Sequence, residues 1–473
     1  MYHVSPEGLV TKRQGEGEQK GYSMSFTEDQ RAAYETLLSG NNVFLTGEGG
    51  TGKSYLIKTF IRQKREQERK NVLVCAPTGI AALNLDGVTM HKALRMPTRV
   101  IIPDDYNDKR KLKKAAKILK KTDVFIMDEV SMCRCDQFNL IGASVERANK
   151  WRKKHGLNPV QFVAVGDFFQ LSPVVTEEDR NIYYQAYHED IGDGYAFQSP
   201  YWESMDFTNI NLKENVRQQG ENEMQAALNE IRYGNNISSY PIDYFNQHTN
   251  TNRITDGIYL TGLRRKAADI NEECLDAVDA PPKVFQATAT DIFSDGQFPA
   301  ESVLKLKVGA RVMTTINDTG NRYKNGTIGT IIEITTRNHK PLIKVKLDNS
   351  PLVVNIEPHK WDVKDVSINE NDELVETISG SFTQLPLRLA YAITIHKSQG
   401  CTFDKVNLDP YCFANGQLYV ALSRCTSIDG LHLERPITDR DWRTSDEVID
   451  FYENLENGDR GLTQSEEEEY EYE

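Results

Sequence analysis

Short, unbroken apolar runs recur along the first half of the chain, and each stops at a small or polar residue where a loop begins. Val43-Phe44-Leu45, Val72-Leu73-Val74-Cys75, Val124-Phe125-Ile126-Met127 and Phe162-Val163-Ala164-Val165 are four of them. A run with no polar alternation has no solvent face, so it suits a strand covered on both sides in a parallel sheet. A second set begins near Asn209-Ile210-Asn211-Leu212 and includes Ile258-Tyr259-Leu260. It resumes at Leu389-Ala390-Tyr391-Ala392-Ile393-Thr394 and Val406-Asn407-Leu408. The texture changes between residues 303 and 358, with alternations such as Thr330-Ile331-Ile332-Glu333-Ile334 and Ile343-Lys344-Val345-Lys346-Leu347. Turn signals stand at Lys324-Asn325-Gly326 and Asp348-Asn349-Ser350. Short antiparallel strands with tight turns predict a small barrel inserted into a second α/β domain. No segment repeats at a fixed period, so a solenoid is not indicated. The pattern therefore predicts two α/β domains, whose ligands gather at the carboxyl ends of the strands.

Composition changes this picture little. A chain of 473 residues has room for roughly three domains, and no apolar stretch approaches the ~18–20 residues of a membrane span. Residues Met1 to Ser25 are polar and lack an apolar signal core, so they read as a poorly ordered tail of an intracellular protein. The seven cysteines are scattered, and Cys133 with Cys135 is the only close pair. Reduced intracellular thiols are the expectation, with no metal set.

The net charge of −13 argues against a nucleic-acid partner only until its distribution is inspected. Six acidic side chains fall in the last eight residues, Glu466 to Glu473, which read as a disordered tail. Basic residues crowd Lys109, Arg110, Lys111, Lys113, Lys114, Lys117, Lys120 and Lys121, and again Arg147, Lys150, Arg152, Lys153 and Lys154. Each group fits either a solvated helix face or a nucleic-acid contact.

The strongest chemical signal is Gly47-Glu48-Gly49-Gly50-Thr51-Gly52-Lys53-Ser54. It satisfies every fixed position of G-x-x-x-x-G-K-[ST], directly after one buried strand and before the helical pattern Tyr55-Leu56-Ile57. Glycines let the backbone curl and aim several N–H groups at a polyphosphate, and the helix adds its positive N-terminal end. Lys53 then reaches the β- and γ-phosphates, and the Ser54 hydroxyl holds Mg²⁺. About 80 residues later Asp128-Glu129 follows another buried strand, placing one carboxylate on the metal and one on the attacking water. Gln170, in Gly166-Asp167-Phe168-Phe169-Gln170, is positioned to hydrogen-bond the γ-phosphate or the water. Arg217 and Arg424, in Val216-Arg217-Gln218 and Ser423-Arg424-Cys425, are candidates for cations supplied to the phosphates by another domain.

The ordered series resembles the superfamily-one DNA helicases, most closely the Pif-type (petite integration frequency) family, with RecD-like and Dda-like enzymes as cousins. The matching segments are Phe26-Thr27-Glu28-Asp29-Gln30, the P-loop, Ala76-Pro77-Thr78-Gly79, Thr89-Met90-His91, Asp128-to-Met132 and Gly166-to-Val174. They continue with the Arg217 segment, Ile393-to-Gly400 and Tyr419-to-Cys425, so that residues 26–435 are covered.

That resemblance implies two RecA-like domains, at 26–208 and at 209–300 with 365–440. It also implies a wedge insertion at about 96–115, an SH3-like barrel at 301–364 and a C-terminal segment at 441–473. It implies Mg²⁺ and ATP, with Gln30 reading the adenine and Gly47, Gly49, Gly50, Thr51, Gly52, Lys53, Ser54 and Tyr55 cradling phosphates. Gln399 and Gly400 link nucleotide to DNA, and Arg217 and Arg424 act as trans fingers. Pro77, Thr78, His91, Lys324, Thr394, His396, Lys397 and Ser398 meet single-stranded DNA without reading bases; His91 and His396 fit a structural role equally well. The implied activity is 5′-to-3′ translocation and unwinding at single-strand/duplex junctions, with G-quadruplexes and RNA–DNA hybrids as further candidate substrates. A protein-stripping translocase and a nucleotide-gated clamp are the rival readings. The expected state is a monomer, with a dimer on DNA as the alternative.

Overall fold

A computed structural model describes residues 2–4, 10–12, 26–215, 222–234, 239–247, 254–290, 300–318, 320–348, 350–370 and 373–457. Arg217 and the acidic run Glu466–Glu473 lie outside these residues. So does most of the N-terminal stretch expected to be an unordered tail. Its two described pieces, Tyr2–Val4 and Val10–Lys12, instead pair as antiparallel strands.

Helix α1 (Glu28–Leu38) opens with a capping box between Thr27 and Gln30, which satisfies two helix-end donors reciprocally. After it come β1 (Val43–Gly47), α2 (Lys53–Arg62), β2 (Val72–Ala76), β3 (Val88–Thr89), β4 (Val124–Met127), α3 (Cys135–Lys154), β5 (Gln161–Val165) and β6 (Thr208–Leu212). The six strands form one parallel sheet in the order β3-β2-β4-β5-β1-β6. Every residue of β1, β2, β4 and β5 is buried, as unbroken apolar runs require. Successive side chains feed opposite layers: Val43, Leu45, Val74 and Ile126 pack against α1 and α2, while Phe44, Cys75, Phe125 and Met127 pack on the other face with Phe138 of α3.

One expectation is corrected here. Asn209–Leu212 does not open the second sheet; it lies within β6, the edge strand of the first, parallel to β1. Only its last residue is buried, so its apolar pattern carries no information about which sheet it joins.

The second half begins with α4 (Asn222–Tyr233), β7 (Ile258–Thr261) and α5 (Arg264–Asp276). The chain then leaves this unit to build β8 (Arg311–Thr314), β9 (Ile328–Arg337), β10 (Lys340–Leu347), β11 (Val353–Ile356), β12 (His359–Ile368), β13 (Leu374–Gln384) and β14 (Leu387–Leu389). Strands β11-β10-β9-β8-β14 make a five-stranded antiparallel sheet around its own core of Leu304, Val312, Ile331, Ile343, Val345 and Val354. Strands β12 and β13 form a long hairpin that returns to the first domain, where Lys364 meets Asp86 at 2.8 Å and Arg95 meets Asp365 at 3.0 Å. The insertion thus continues past the expected boundary at 364, as far as Leu389. The apolar run Leu389–Thr394 is correspondingly split between two sheets.

Strands β15 (Ala392–Thr394), β16 (Val406–Leu408) and β17 (Leu431–Leu433), with helix α6 (Gln417–Leu422) between the last two, complete the second unit. Its parallel sheet has the order β15-β7-β16-β17. The last described element, α7 (Asp446–Asn457), crosses back to the first domain. Phe451 stacks on Phe197 at 4.3 Å and meets Phe44, Phe168 and Trp202 edge-on. The Tyr452 hydroxyl lies 2.6 Å from Thr46 Oγ1 and accepts from the Phe168 N–H. No helix among the described residues is long and apolar enough to cross a membrane.

Because Phe451 fills an aromatic core that the first domain cannot close alone, Phe451→Ala should lower unfolding stability by about 3–5 kcal/mol. Chemical denaturation measures this. A loss below ~1 kcal/mol would mean that α7 does not belong to that core.

Candidate active site

Backbone geometry at the P-loop follows from its glycines. Gly47, Gly50 and Gly52 have φ of 144°, 104° and 83°, conformations that side chains disfavour. A Cβ on Gly47 would stand 2.5 Å from the Leu212 carbonyl oxygen, and one on Gly52 would stand 2.5 Å from Gln30 Nε2. Lys53 Nζ donates to the Gly47 and Glu48 carbonyls at 2.6 and 2.9 Å. Thr51 is buried and its hydroxyl donates to the Glu48 carbonyl. Gln30, expected at the adenine, has both ends of its amide engaged: Nε2 donates to the Thr51 carbonyl and Oε1 accepts from Thr27 N–H. Its bonds brace the loop. Tyr55 is exposed, with its ring edge-on to Phe26.

Asp128 and Glu129 follow β4 as expected, at the carboxyl end of the sheet, and Glu129 holds a left-handed backbone (φ 52°). Burial pushes the Asp128 carboxyl far above the usual range, and the neighbouring Glu129 charge pushes it the same way. Burial also raises Glu129, opposed by Lys53 and Arg424. Ser54, Asp128, Glu129, Lys58, Lys324, Arg388, Lys397, Gln399 and Gly400 line one cleft of about 600 Å³ between the two halves of the chain. Lys324, expected on DNA, lines the same cleft as the candidate metal ligands Ser54 and Asp128.

The second half reaches into this site at several points. Gln399 Nε2 donates to Glu129 Oε2 at 2.9 Å. The Tyr419 hydroxyl on α6 accepts from the Gly49 N–H at 3.0 Å. Gly416, just before α6, has φ 71°, and a Cβ there would lie 2.2 Å from the Gln170 carbonyl oxygen. Arg424 is buried and donates to the Val420 carbonyl and the Ser423 hydroxyl; its charge is felt at Glu129. Gln170 donates through Nε2 to Asp167 at 3.2 Å, and Asp167 is also paired with Arg232 of α4 at 3.0 Å. Neither Arg232 nor Tyr419 was singled out from sequence. Tyr419 begins the segment Tyr419-to-Cys425 that carries Arg424, whereas Arg232 sits in an ordinary amphipathic helix with no signal of its own.

The expected strand-binding residues divide into two groups. Pro77 and Thr78 follow β2, and the Thr78 hydroxyl accepts from Ala81 N–H at the start of a short helix. His91 and His396 are half-buried, and burial holds both imidazoles below their ordinary value, with nearby Arg134 and Arg264 respectively acting in the same sense. Thr394 and Ser398 are buried, and the Ser398 hydroxyl donates to the Ile395 carbonyl. Ser398 therefore braces the turn that carries exposed Lys397 and does not face solvent. Arg152 is likewise withdrawn from the expected basic surface: it is buried, donating to the Asn158, Lys120 and Thr122 carbonyls and pairing with Asp123.

Comparison with known proteins places this geometry. Residues 25–238 match the sequence profile described as PIF1-like helicase. The ATP-dependent DNA helicase Pif1 of Campylobacter jejuni is 32% identical over 84% of this chain and 90% of its own length. The crystal structure of Bacteroides sp Pif1 in complex with ADP-AlF4 superposes with a TM-score of 0.77 at 31% identity, over 92% of this chain and 98% of that one. Bacteroides Pif1 bound to ssDNA gives 0.63 at 32% identity, over 92% and 98%. The two parallel sheets are those of the RecA-like α/β fold these neighbours share. Sequence, fold and the placement of the P-loop and carboxylates agree: the chain belongs to the PIF1-like helicase family.

Proposed function

We propose that this enzyme, an ATP-dependent DNA helicase, moves 5′-to-3′ on single-stranded DNA by opening and closing the cleft between its two α/β units. We read residues 26–215 with α7 as one moving body and residues 222–440 as the other. The five-stranded insertion is read as the family's SH3-like barrel, and residues 96–115 as its wedge.

The observation that carries the reading is the Gln399–Glu129 bond. It joins the candidate general base of the first unit to the segment that bears His396 and Lys397 in the second. A change at either end is therefore transmitted to the other through one hydrogen bond. Lys53 and the loop amides bind the phosphates, and Glu129 takes a proton from the attacking water. Arg424 and Arg217 supply positive charge as the units close. Ser54 and Asp128, two oxygen donors in one cleft, fit a hard divalent cation. Mg²⁺ held there would neutralise charge developing on the phosphates. Lys397, Pro77 and Thr78 contact the DNA backbone, which gives binding without base readout.

Three outcomes follow. Glu129→Gln should cut ATP turnover by ~10²–10⁴-fold while leaving nucleotide binding intact, and turnover near wild type would remove Glu129 as the base. Unwinding should require a 5′ single-stranded tail on a forked duplex. Activity only on 3′ tails would reverse the assigned direction, and single-strand-stimulated ATPase without unwinding of either substrate would mark a translocase. Affinity for single-stranded DNA should fall steeply with salt as counterions are released; a salt-independent affinity would refute the backbone-contact picture. G-quadruplexes and RNA–DNA hybrids belong in the same substrate comparison.

A further inference from the structure

Asp167 is the most enclosed carboxylate at the domain boundary, and its bonds are fully specified. Oδ1 accepts from Arg232 Nη2 at 3.0 Å and from Phe169 N–H at 3.2 Å. Oδ2 accepts from Arg232 Nε at 3.3 Å and from Gln170 Nε2 at 3.2 Å. The two partners are rooted in different units. Asp167 and Gln170 follow β5 of the first sheet. Arg232 is on α4, whose Met224, Ala227, Leu228 and Ile231 lie in the core of the second. The guanidinium is walled in by aromatic rings, with Phe169 at 4.6 Å, Tyr233 at 5.1 Å and Tyr452 at 5.7 Å. Its planar fork matches the carboxylate edge, a match that a lysine ammonium cannot reproduce.

This arrangement fixes the orientation of Gln170. An ionised carboxylate only accepts hydrogen bonds, so Gln170 must turn its NH₂ group toward Asp167. The amide carbonyl Oε1 is then the end left for a ligand. An acceptor placed against a phosphate oxygen is repelled, whereas against water it takes up one hydrogen and orients the lone pair.

We propose that Arg232 is a positioning residue for ATP hydrolysis: by gripping Asp167 across the domain boundary it fixes Gln170 with its carbonyl outward, so that Gln170 orients the attacking water. This rests on the reading of the cleft as an ATPase site. It also makes the setting of Gln170 depend on where the second unit stands, because the grip comes from that unit.

The test is a double-mutant cycle on steady-state, DNA-stimulated ATPase of the full chain, using Arg232→Lys, Gln170→Ala and both together. Lysine keeps a counter-charge for Asp167 while losing the fork. Arg232→Lys should lower kcat at least tenfold with KM for ATP within twofold. Gln170→Ala should do the same, and the double variant should be no slower than the slower single within twofold. Multiplying losses, a wild-type kcat in Arg232→Lys, or a raised KM at unchanged kcat would each overturn the proposal. If thermal melting shows Arg232→Lys to be unfolded, the cycle is repeated with the neutral pair Asp167→Asn/Arg232→Gln in its place, and the same outcomes decide. Wild-type protein without DNA-stimulated ATPase would overturn the function itself. Active wild type with an unaffected Arg232→Lys would overturn only the role of Arg232.

Discussion

Three carboxylates at the cleft, two buried and Glu129 half-buried, constrain the rest of this molecule. Asp128, Glu129 and Asp167 all follow buried strands of the first sheet, and Asp128 and Asp167 are among its buried polar side chains. A buried charge costs several kcal/mol unless it is paired or protonated. The first unit answers with Lys53 and, at Asp128, with Lys58 as well. The remaining positive charge comes from the second unit, through Arg232 at Asp167 and Arg424 near Glu129. Positive charge near these acids therefore comes from both halves of the chain.

The bonds that bridge the cleft are of the exchangeable kind. Gly49 N–H is met by the Tyr419 hydroxyl and Glu129 by the Gln399 amide, while inside the P-loop the Lys53 ammonium is held by two loop carbonyls. Each contributes about 0.5–3 kcal/mol net. A polyphosphate, which offers several acceptors and multiple negative charges, can replace such partners one by one. Arg232–Asp167 differs in kind, because breaking it would leave a carboxylate unpaired in an apolar setting. The cleft thus combines one buried ion pair with more readily exchanged hydrogen bonds.

The extra structure around the two sheets ties them further. The β12–β13 hairpin returns from the insertion to pair Lys364 with Asp86 and Arg95 with Asp365, and α7 returns from the C-terminal side to seat Phe451 and Tyr452 under β1. The first connection is polar and half-exposed, the second apolar and buried. Salt and pH act on the hairpin contact far more than on the helix contact.

Much of this was legible in the chain. Unbroken apolar runs point to β1, β2, β4, β5 and β7, because a strand covered on both faces favours such a run. The P-loop pattern stands out in the chain because backbone curvature and phosphate chemistry call for its glycines, lysine and serine within eight residues. The placement of Asp128, Glu129 and Gln170 after buried strands is legible from the apolar runs that precede them. The sequence could not reveal that Asn209–Leu212 joins the first sheet, because an edge strand with one buried residue fits either. Nor could it show that Ser398 and Arg152 face inward, since a hydroxyl or guanidinium is polar in sequence whether water or a carbonyl satisfies it. Arg232 and Tyr419 became visible only when Asp167 and Gly49 were placed beside them, 65 and 370 residues away along the chain. Local chemistry is written in short spacings, which sequence preserves. Pairing across a domain boundary is decided by where two separately folded cores come to rest, and no local spacing encodes that.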